Sequence, residues 1–146
     1  MQIRTTRFGN LEVDPLDVLL FTEGVIGFEQ SKQFVLLGDE REPAITWLQS
    51  TTDPALAFLA VSPRRFVRDY RLRAAQADLA MLLQEEDDET FVLALASRSE
   101  KGWSINLRAP IVINPVRRLG KQIVTLDEQP VQFMLPSFTG SLRKTA

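Results

Sequence analysis

The most informative part of the chain is residues 104–122, which read S-I-N-L-R-A-P-I-V-I-N-P-V-R-R-L-G-K-Q. Two runs of β-forming residues flank Pro110, which lacks a backbone N–H donor and restricts the residue before it to extended geometry. Asn106 and Asn114 bracket the apolar run 111–113, and an amide there can bond turning backbone or contact a partner. No catalytic group lies in this stretch. It therefore predicts two strands around a bend, serving as framework and surface.

Short apolar and β-branched runs recur along the rest of the chain, separated by turn residues. The predicted strands are 3–8, 11–13, 18–21, 34–37, 45–49, 56–61, 91–96, 103–107 and 122–126. Gly9 and Asn10 have the composition of a two-residue type II′ hairpin turn between the first two. Residues 98–102 are predicted to turn a second hairpin, between strands 91–96 and 103–107.

Helical signals are confined to the middle of the chain. Leu79, Leu82 and Leu83 continue a helical spacing that predicts a helix over 74–83. Ser62 followed by Pro63 indicates one or two helical turns over 64–69. Many short strands and one helix predict an all-β, mainly antiparallel fold, a small β-barrel-like domain with one short helical insertion.

The length of 146 residues suits one domain. We expect a single β-rich domain over 1–135. Residues 136–146 are polar and contain proline, serine and glycine, so they are predicted to form a frayed C-terminal tail.

Composition excludes several function classes. The chain has no cysteine and no histidine, which removes disulfides, thiolate catalysis and the commonest general base and transition-metal ligand. We therefore expect no enzyme activity and no tightly bound zinc or other soft transition metal. A net charge of −2 provides no global attraction to nucleic acid. The polar N-terminus lacks a secretory segment and the apolar runs are too short to cross a bilayer, so we expect a cytosolic protein without membrane contact.

Two acidic clusters have weaker alternatives. The run 85–89, E-E-D-D-E, offers oxygens to a hard cation, but its spacing is typical of a solvated loop that steers a basic partner. Asp39, Glu40 and Glu42 lie together in one turn, whereas an acid–base pair needs two unequal environments. A carboxylate-based hydrolase is therefore disfavoured. A structural subunit that only self-associates is another alternative.

A basic segment gives the main alternative function. Its arginines are interleaved with Phe66 and Tyr70, an arrangement that suits a single-strand RNA-binding β-barrel. Alternatively, the two aromatic side chains share a buried face while the arginines remain in water. The arginines concerned are Arg64, Arg65, Arg68, Arg71 and Arg73. Trp47 and Trp103 lie in strand-like runs and are predicted to be core residues.

Gly24, Gly27 and Phe28 belong to the segment F-T-E-G-V-I-G-F at 21–28. Two glycines permit backbone angles that other residues avoid, which predicts a structural turn. A phosphate-binding loop is disfavoured because no Gly-Lys-Ser/Thr follows.

Four segments occur in one order along the chain. They are F-T-E-G-V-I-G-F at 21–28; L-Q-S at 48–50 with Asp53-Pro54 and Ala57-Phe58; Pro63 with Tyr70; and N-L-R-A-P-I-V-I-N at 106–114 with G-K-Q at 120–122. Together they resemble the FliW family of bacterial flagellar assembly factors, and the resemblance covers roughly residues 3–126. It implies a cytosolic β-barrel that binds flagellin and the translational regulator CsrA, without a cofactor. When flagellin is scarce, the free factor captures CsrA without competing at its RNA site, and repression of flagellin messenger RNA is relieved.

We also predict where a partner binds. Because Pro110 interrupts strand pairing, the backbone beside it is expected to be unpaired and open to a partner. The predicted partner-binding residues are Asn106, Leu107, Pro110, Ile111, Asn114 and Gln122. The equal alternative is that Leu107 and Ile111 are core residues and the two asparagines are ordinary turn residues.

Overall fold

Eleven strands and one α-helix make up the regular structure of the described chain, and the computed structural model describes residues 1–83, 85 and 87–135. The strands are β1 (Gln2–Thr5), β2 (Gly9–Glu12), β3 (Leu19–Leu20), β4 (Gln33–Gly38), β5 (Ile45–Ser50), β6 (Ala57–Val61), β7 (Phe91–Ser99), β8 (Gly102–Ile105), β9 (Ile111–Asn114), β10 (Leu119–Gln122) and β11 (Phe133–Met134). The helix α1 is Gln76–Leu82, and short 3-10 helices are Pro15–Asp17 and Pro63–Arg65.

Seven strands close into a barrel in the order β7-β6-β5-β4-β3-β10-β9, with β9 returning to β7. All neighbours are antiparallel except β3 and β10, which are parallel and share the single residue pair Leu20↔Leu119. The far end of β7 leaves the barrel and pairs with β8, which pairs with β11. The predicted fold class, a mainly antiparallel β-barrel with one helical insertion, is confirmed.

Both faces of the barrel wall are buried at β5 and β9. On β5, Trp47 contributes to one apolar cluster and the next residue, Leu48, to another, because successive side chains of a strand point to opposite faces. On β9, Ile111 and Ile113 contribute to the second cluster while Val112 packs with Leu82 of α1. A strand covered on both sides reads as a continuous apolar run, which explains I-V-I.

The first cluster fills the space between the barrel wall and the segments outside it. Its buried members are Ile45, Trp47, Leu59, Val61, Tyr70, Ala94, Ile105, Leu107 and Leu135. Trp103 is partly buried and packs against this cluster, so both tryptophans lie at or beside the core as predicted. The second cluster contains Leu19, Phe21, Val25, Phe34, Leu48, Ala60, Leu93, Ile111 and Ile113.

The helical predictions hold with shorter bounds. The helix expected at 74–83 is α1, whose buried residue Leu82 contacts the third cluster of Val112 and Ile123. The helical turn expected at 64–69 is the 3-10 helix Pro63–Arg65. Beyond it the chain continues in turns, with the Val67 N–H donating to the Pro63 carbonyl oxygen at 2.9 Å and the Tyr70 N–H to the Val67 carbonyl oxygen at 3.0 Å.

The first hairpin turn was predicted wrongly. Thr5 pairs with Gly9, so the loop is residues 6–8, and Gly9 and Asn10 belong to β2. The Thr5 hydroxyl accepts from the Phe8 N–H and donates to the Gly9 carbonyl oxygen, both at 2.8 Å. A three-residue loop followed by a glycine at positive φ, here +74°, is the alternative hairpin geometry.

Two further boundaries differ from the predictions. The strand expected at 122–126 is wrong beyond its first residue, because β10 ends at Gln122. It begins at Leu119, which pairs across a tight turn with Asn114. The last strand is β11, on β8. The turn between β7 and β8 is also tighter than 98–102, since Ser99 pairs with Gly102.

The predicted tail, residues 136–146, lies outside the described residues. Within the described chain, α1 is seven residues long, and no helix there has the length and apolar character needed to span a membrane.

Candidate partner-binding surfaces

The segment predicted as a partner-binding face lies mostly in the interior. Leu107, Ile111 and Asn114 are at most 1% exposed, and Pro110 is buried. The expectation of unpaired backbone beside Pro110 is wrong, because its carbonyl oxygen accepts from the Ile123 N–H at 2.9 Å. At the next ladder position, the Thr125 N–H donates to the Arg108 carbonyl oxygen at 2.8 Å. Partner contact by this segment stays a prediction. The four buried side chains, Leu107, Pro110, Ile111 and Asn114, are not available on the surface.

Asn106 and Asn114 each hold a turn. The Asn106 side-chain oxygen accepts from the N–H groups of Arg108 and Ala109, both at 3.0 Å. The Asn114 amide nitrogen donates to the Leu82 carbonyl oxygen at 2.7 Å and to Asp88 at 3.1 Å, so it fastens the end of α1 to β9. These contacts are those of the structural alternative.

Gln122 is half-buried and links two of the family segments. Its side-chain oxygen accepts from the Ile26 N–H at 2.8 Å, and its amide nitrogen donates to the Ala109 carbonyl oxygen at 2.9 Å. The loop containing Ile26 is shaped by Gly24, at φ +67°, and Gly27, at φ +89°. A side chain on Gly24 would meet the Glu29 backbone at 2.6 Å. Separately, Phe28 packs edge-on against Phe58, at 5.1 Å between ring centroids.

A groove lies between this loop, α1 and the end of β10, with a volume of about 350 Å³. The Lys121 ammonium crosses it and donates to Asp78 and Glu23, each at 2.8 Å. These hydrogen bonds raise the pKa of Lys121 above its ordinary value, and the bond to Asp78 contributes more than the bond to Glu23. The groove is lined by Glu23, Gly24, Ile26, Glu29, Asp78, Lys121, Gln122 and Val124.

The acidic loop is anchored to the barrel. Glu85, Asp87 and Asp88 bring carboxylate oxygens within 4.8 Å of one another. Arg117 approaches both Glu85 and Asp88 at 3.5 Å, and Asp88 also accepts from Asn114. The loop therefore presents negative charge beside α1 while Arg117 partly offsets it.

The basic segment does not offer its tyrosine to a nucleic-acid base. Tyr70 is 3% exposed and donates its hydroxyl hydrogen to the Leu107 carbonyl oxygen at 2.7 Å. Phe66 packs against the first cluster, and the Arg64 guanidinium donates to the Tyr70 carbonyl oxygen at 3.0 Å. The arrangement is the amphipathic alternative, with aromatic side chains inside and arginines outside.

The carboxylates at 39–42 shape a turn. Asp39 accepts from the N–H groups of Arg41 and Glu42 through one oxygen and from the Trp47 indole through the other. Glu42 accepts from the Ala44 N–H at 3.1 Å. These contacts are those of a structural turn.

The Lys121 groove was missed by the sequence reasoning. Lys121, Glu23 and Asp78 come from a strand, a loop and a helix far apart in the chain, so no local spacing connects them. Val124 was assigned to a strand, with no reason to treat it as exposed.

Taken together, these features define a class of protein: a small closed β-barrel with a filled interior, whose distinctive polar groups lie in surface loops and one acidic groove. The chain belongs to the FliW family, because the family model described as FliW protein matches residues 2–135. That family consists of flagellar assembly factors, as its relatives are named.

Similar proteins agree in sequence and in fold. A flagellar assembly factor FliW of Magnetococcus marinus is 35% identical over 150 aligned positions, which cover 100% of this chain and 93% of the relative. One from Moorella thermoacetica is 39% identical over 132 positions, covering 85% of this chain and 80% of the relative. A crystal structure of the flagellar assembly factor FliW superimposes with a TM-score of 0.84 at 29% identity, covering 93% of this chain and 98% of the other.

Proposed function

We propose that this protein acts in the cytoplasm as a flagellar assembly factor that binds flagellin and, when flagellin is scarce, binds and antagonises CsrA. The observation that carries the proposal is the match of the FliW family over residues 2–135, nearly the whole described chain. Binding of the two partners would couple the flagellin level to flagellin translation, and the factor would act as a chaperone and a translational regulator at once.

Action by binding rather than catalysis is supported by the chemistry of the described residues. The chain has no histidine or cysteine. The carboxylates with ordered contacts cap turns or form ion pairs, as Asp39 and Asp78 do. An acidic surface suits CsrA, because an RNA-binding regulator has to present basic groups.

Two binding equilibria that share one protein suffice for the switch. If flagellin and CsrA exclude each other, free flagellin at about ten times its dissociation constant lowers the free factor about tenfold. That change corresponds to about 1.4 kcal/mol in the apparent affinity for CsrA. No covalent step is required.

Titration calorimetry of the full chain with purified flagellin and with CsrA tests the proposal. We expect each protein to bind, and saturating flagellin to weaken the apparent binding of CsrA. A labelled single-stranded RNA, titrated alone at low and high salt, separates the alternative function. Absence of binding to both proteins would overturn the proposal, and salt-sensitive RNA binding lost on replacing Arg68 and Arg71 would favour the RNA-binding barrel.

A further inference from the structure

One edge of the barrel wall is open at Val124. Beyond β10, the N–H groups of Ile123 and Thr125 continue the ladder by donating to Pro110 and Arg108, at 2.9 and 2.8 Å. Because bonding directions alternate along a strand, the N–H and C=O of Val124 point the other way. There they bond to no other residue of the described chain, and Val124 is 49% exposed.

The edge next to Val124 is lined on both sides by other segments of the chain. Before Val124, the Gln122 side chain, not its backbone, accepts from the Ile26 N–H. After it, the Leu126 N–H donates to the Arg73 carbonyl oxygen at 2.8 Å. The gap at Val124 opens into the Lys121 groove, since Val124 is one of its lining residues.

The groove combines apolar contact with negative charge. Ile26 is 62% exposed and, with Val124, supplies its exposed apolar side chains. Glu23, Glu29 and Asp78 contribute three carboxylates against the one ammonium of Lys121, an excess of two negative charges. A partner that fits must therefore bring positive charge, apolar side chains and backbone groups that can reach Val124.

We propose that this groove binds an extended, basic segment of a protein partner, which bonds the free N–H and C=O of Val124. Alternate side chains of an extended segment point to opposite sides, so apolar residues contact Ile26 and Val124 while lysine or arginine residues meet the carboxylates. The inference rests on the proposed function, in which the protein acts by binding, and deepens it by naming the surface and the chemistry it accepts.

A designed peptide tests the groove independently of any natural partner. The probe is a fluorescein-labelled octapeptide of alternating lysine and valine, with a glutamate–valine peptide as the charge control, titrated against the full chain by fluorescence anisotropy. We expect the basic peptide to bind, added salt to weaken it, and the acidic peptide not to bind. Failure of the basic peptide to bind the wild-type chain would overturn the proposal.

Two lysine substitutions place the binding in the groove. Val124→Lys adds a like charge at the open edge, and we expect it to weaken the basic peptide at least tenfold. Val116→Lys is the matched control, because Val116 is 76% exposed on the turn between β9 and β10 and outside the groove, and it should bind as wild type. Ile26→Lys, in the exposed loop, gives the same test if Val124→Lys melts early. Wild-type affinity in a folded groove variant contradicts the proposal.

Calorimetry on the same variants separates this inference from the proposed function. If the wild-type chain binds flagellin and CsrA but not the basic peptide, the groove proposal is wrong and the proposed function is supported. Peptide binding sensitive to Val124→Lys, with neither protein bound, would remove the proposed function and leave the groove. If Val124→Lys weakens the binding of flagellin or of CsrA tenfold and Val116→Lys does not, both the groove proposal and the proposed function are supported.

Discussion

Tyr70 donates its hydroxyl hydrogen to the backbone carbonyl oxygen of Leu107 across 2.7 Å, and both residues are buried. The bond ties the segment that leads into α1 to the bend between β8 and β9. The bond therefore connects the helical insertion to residues 104–122. Because Tyr70 is the single tyrosine of the chain, its titration can be followed directly.

We predict that the tyrosine of the folded protein titrates above its value in the unfolded chain. Burial, and then the negative charge of Asp127, raises the pKa of Tyr70. The unfolded chain then releases this proton first, at about pH 10, so the free energy of unfolding falls as pH rises from there through the folded pKa. Below that window, Tyr70 contributes no pH dependence.

The absorbance of tyrosinate, recorded against pH with and without urea, measures both midpoints. A folded midpoint at or below the unfolded one contradicts the prediction. Tyr70→Phe should abolish this signal and lower the free energy of unfolding by about 1–3 kcal/mol, because the Leu107 carbonyl oxygen loses its donor.

Gly120 should not tolerate a side chain. An added Cβ would lie 2.3 Å from two ring atoms of Phe21, which is fully buried. We expect Gly120→Ala to lower the free energy of unfolding by about 1–3 kcal/mol, since the core must shift. Gly38→Ala is the matched control, because a Cβ there meets nothing within 4 Å, and urea unfolding should show little or no loss. Equal stability of both variants would show that the Phe21 ring moves freely.

Asn106 and Asn114 are predicted to contribute to the free energy of unfolding. Asn114→Ala removes the donor to the Leu82 carbonyl oxygen and the acceptor of the Arg117 N–H, so we expect a loss of about 2 kcal/mol. Asn106→Ala should cost about 1 kcal/mol, because its acceptor serves a half-buried turn.

Urea unfolding of the asparagine variants gives these values, and exposed Asn10→Ala in β2 is the control. Titration with flagellin and CsrA should show unchanged affinity for the folded fraction. A variant that keeps its melting temperature and loses tenfold or more in affinity would instead place that asparagine in a partner-binding face.

Leu135 belongs to the core of the described chain, because it is 2% exposed and donates its N–H to the Trp103 carbonyl oxygen at 2.9 Å. The family match ends at the same residue. We predict that a chain of residues 1–135 melts cooperatively, close to the full chain, and that 1–132 loses about 2–5 kcal/mol with β11 and Leu135. Calorimetric melting compares the three. A large loss already at 135 would place the boundary later.

Local pattern was enough to predict much of the fold. The strand at 45–49 was found because it is a short run of apolar and β-branched residues, and the helix at 74–83 because its leucines repeat at the helix period. The Gly9–Asn10 turn was predicted wrongly because the Thr5 hydroxyl stabilises a three-residue loop, and composition does not separate the two loop lengths. The start of β10 was missed because Leu119 is fixed by its pairing with Asn114.

The surface was harder to predict than the barrel. The argument from Pro110 failed because the carbonyl oxygen of a proline still accepts, and Ile123 supplies the donor. The groove needs Glu23, Asp78 and Lys121 at one place, which only the three-dimensional packing achieves. The residue spacing within one segment does not predict which distant segment will lie beside it in the folded chain.

The single pair Leu20↔Leu119 has a consequence for how the protein is made. β3 emerges early in synthesis, and its β10 neighbour emerges near the end. The hairpins of β4, β5 and β6 pair with chain neighbours and can form while translation continues, but the ring cannot shut until residue 122 has left the ribosome. Until β9 has emerged, the second cluster lacks Ile111 and Ile113, and until β10 has emerged the barrel stays open beside β3. Folding is therefore completed only when synthesis is nearly finished.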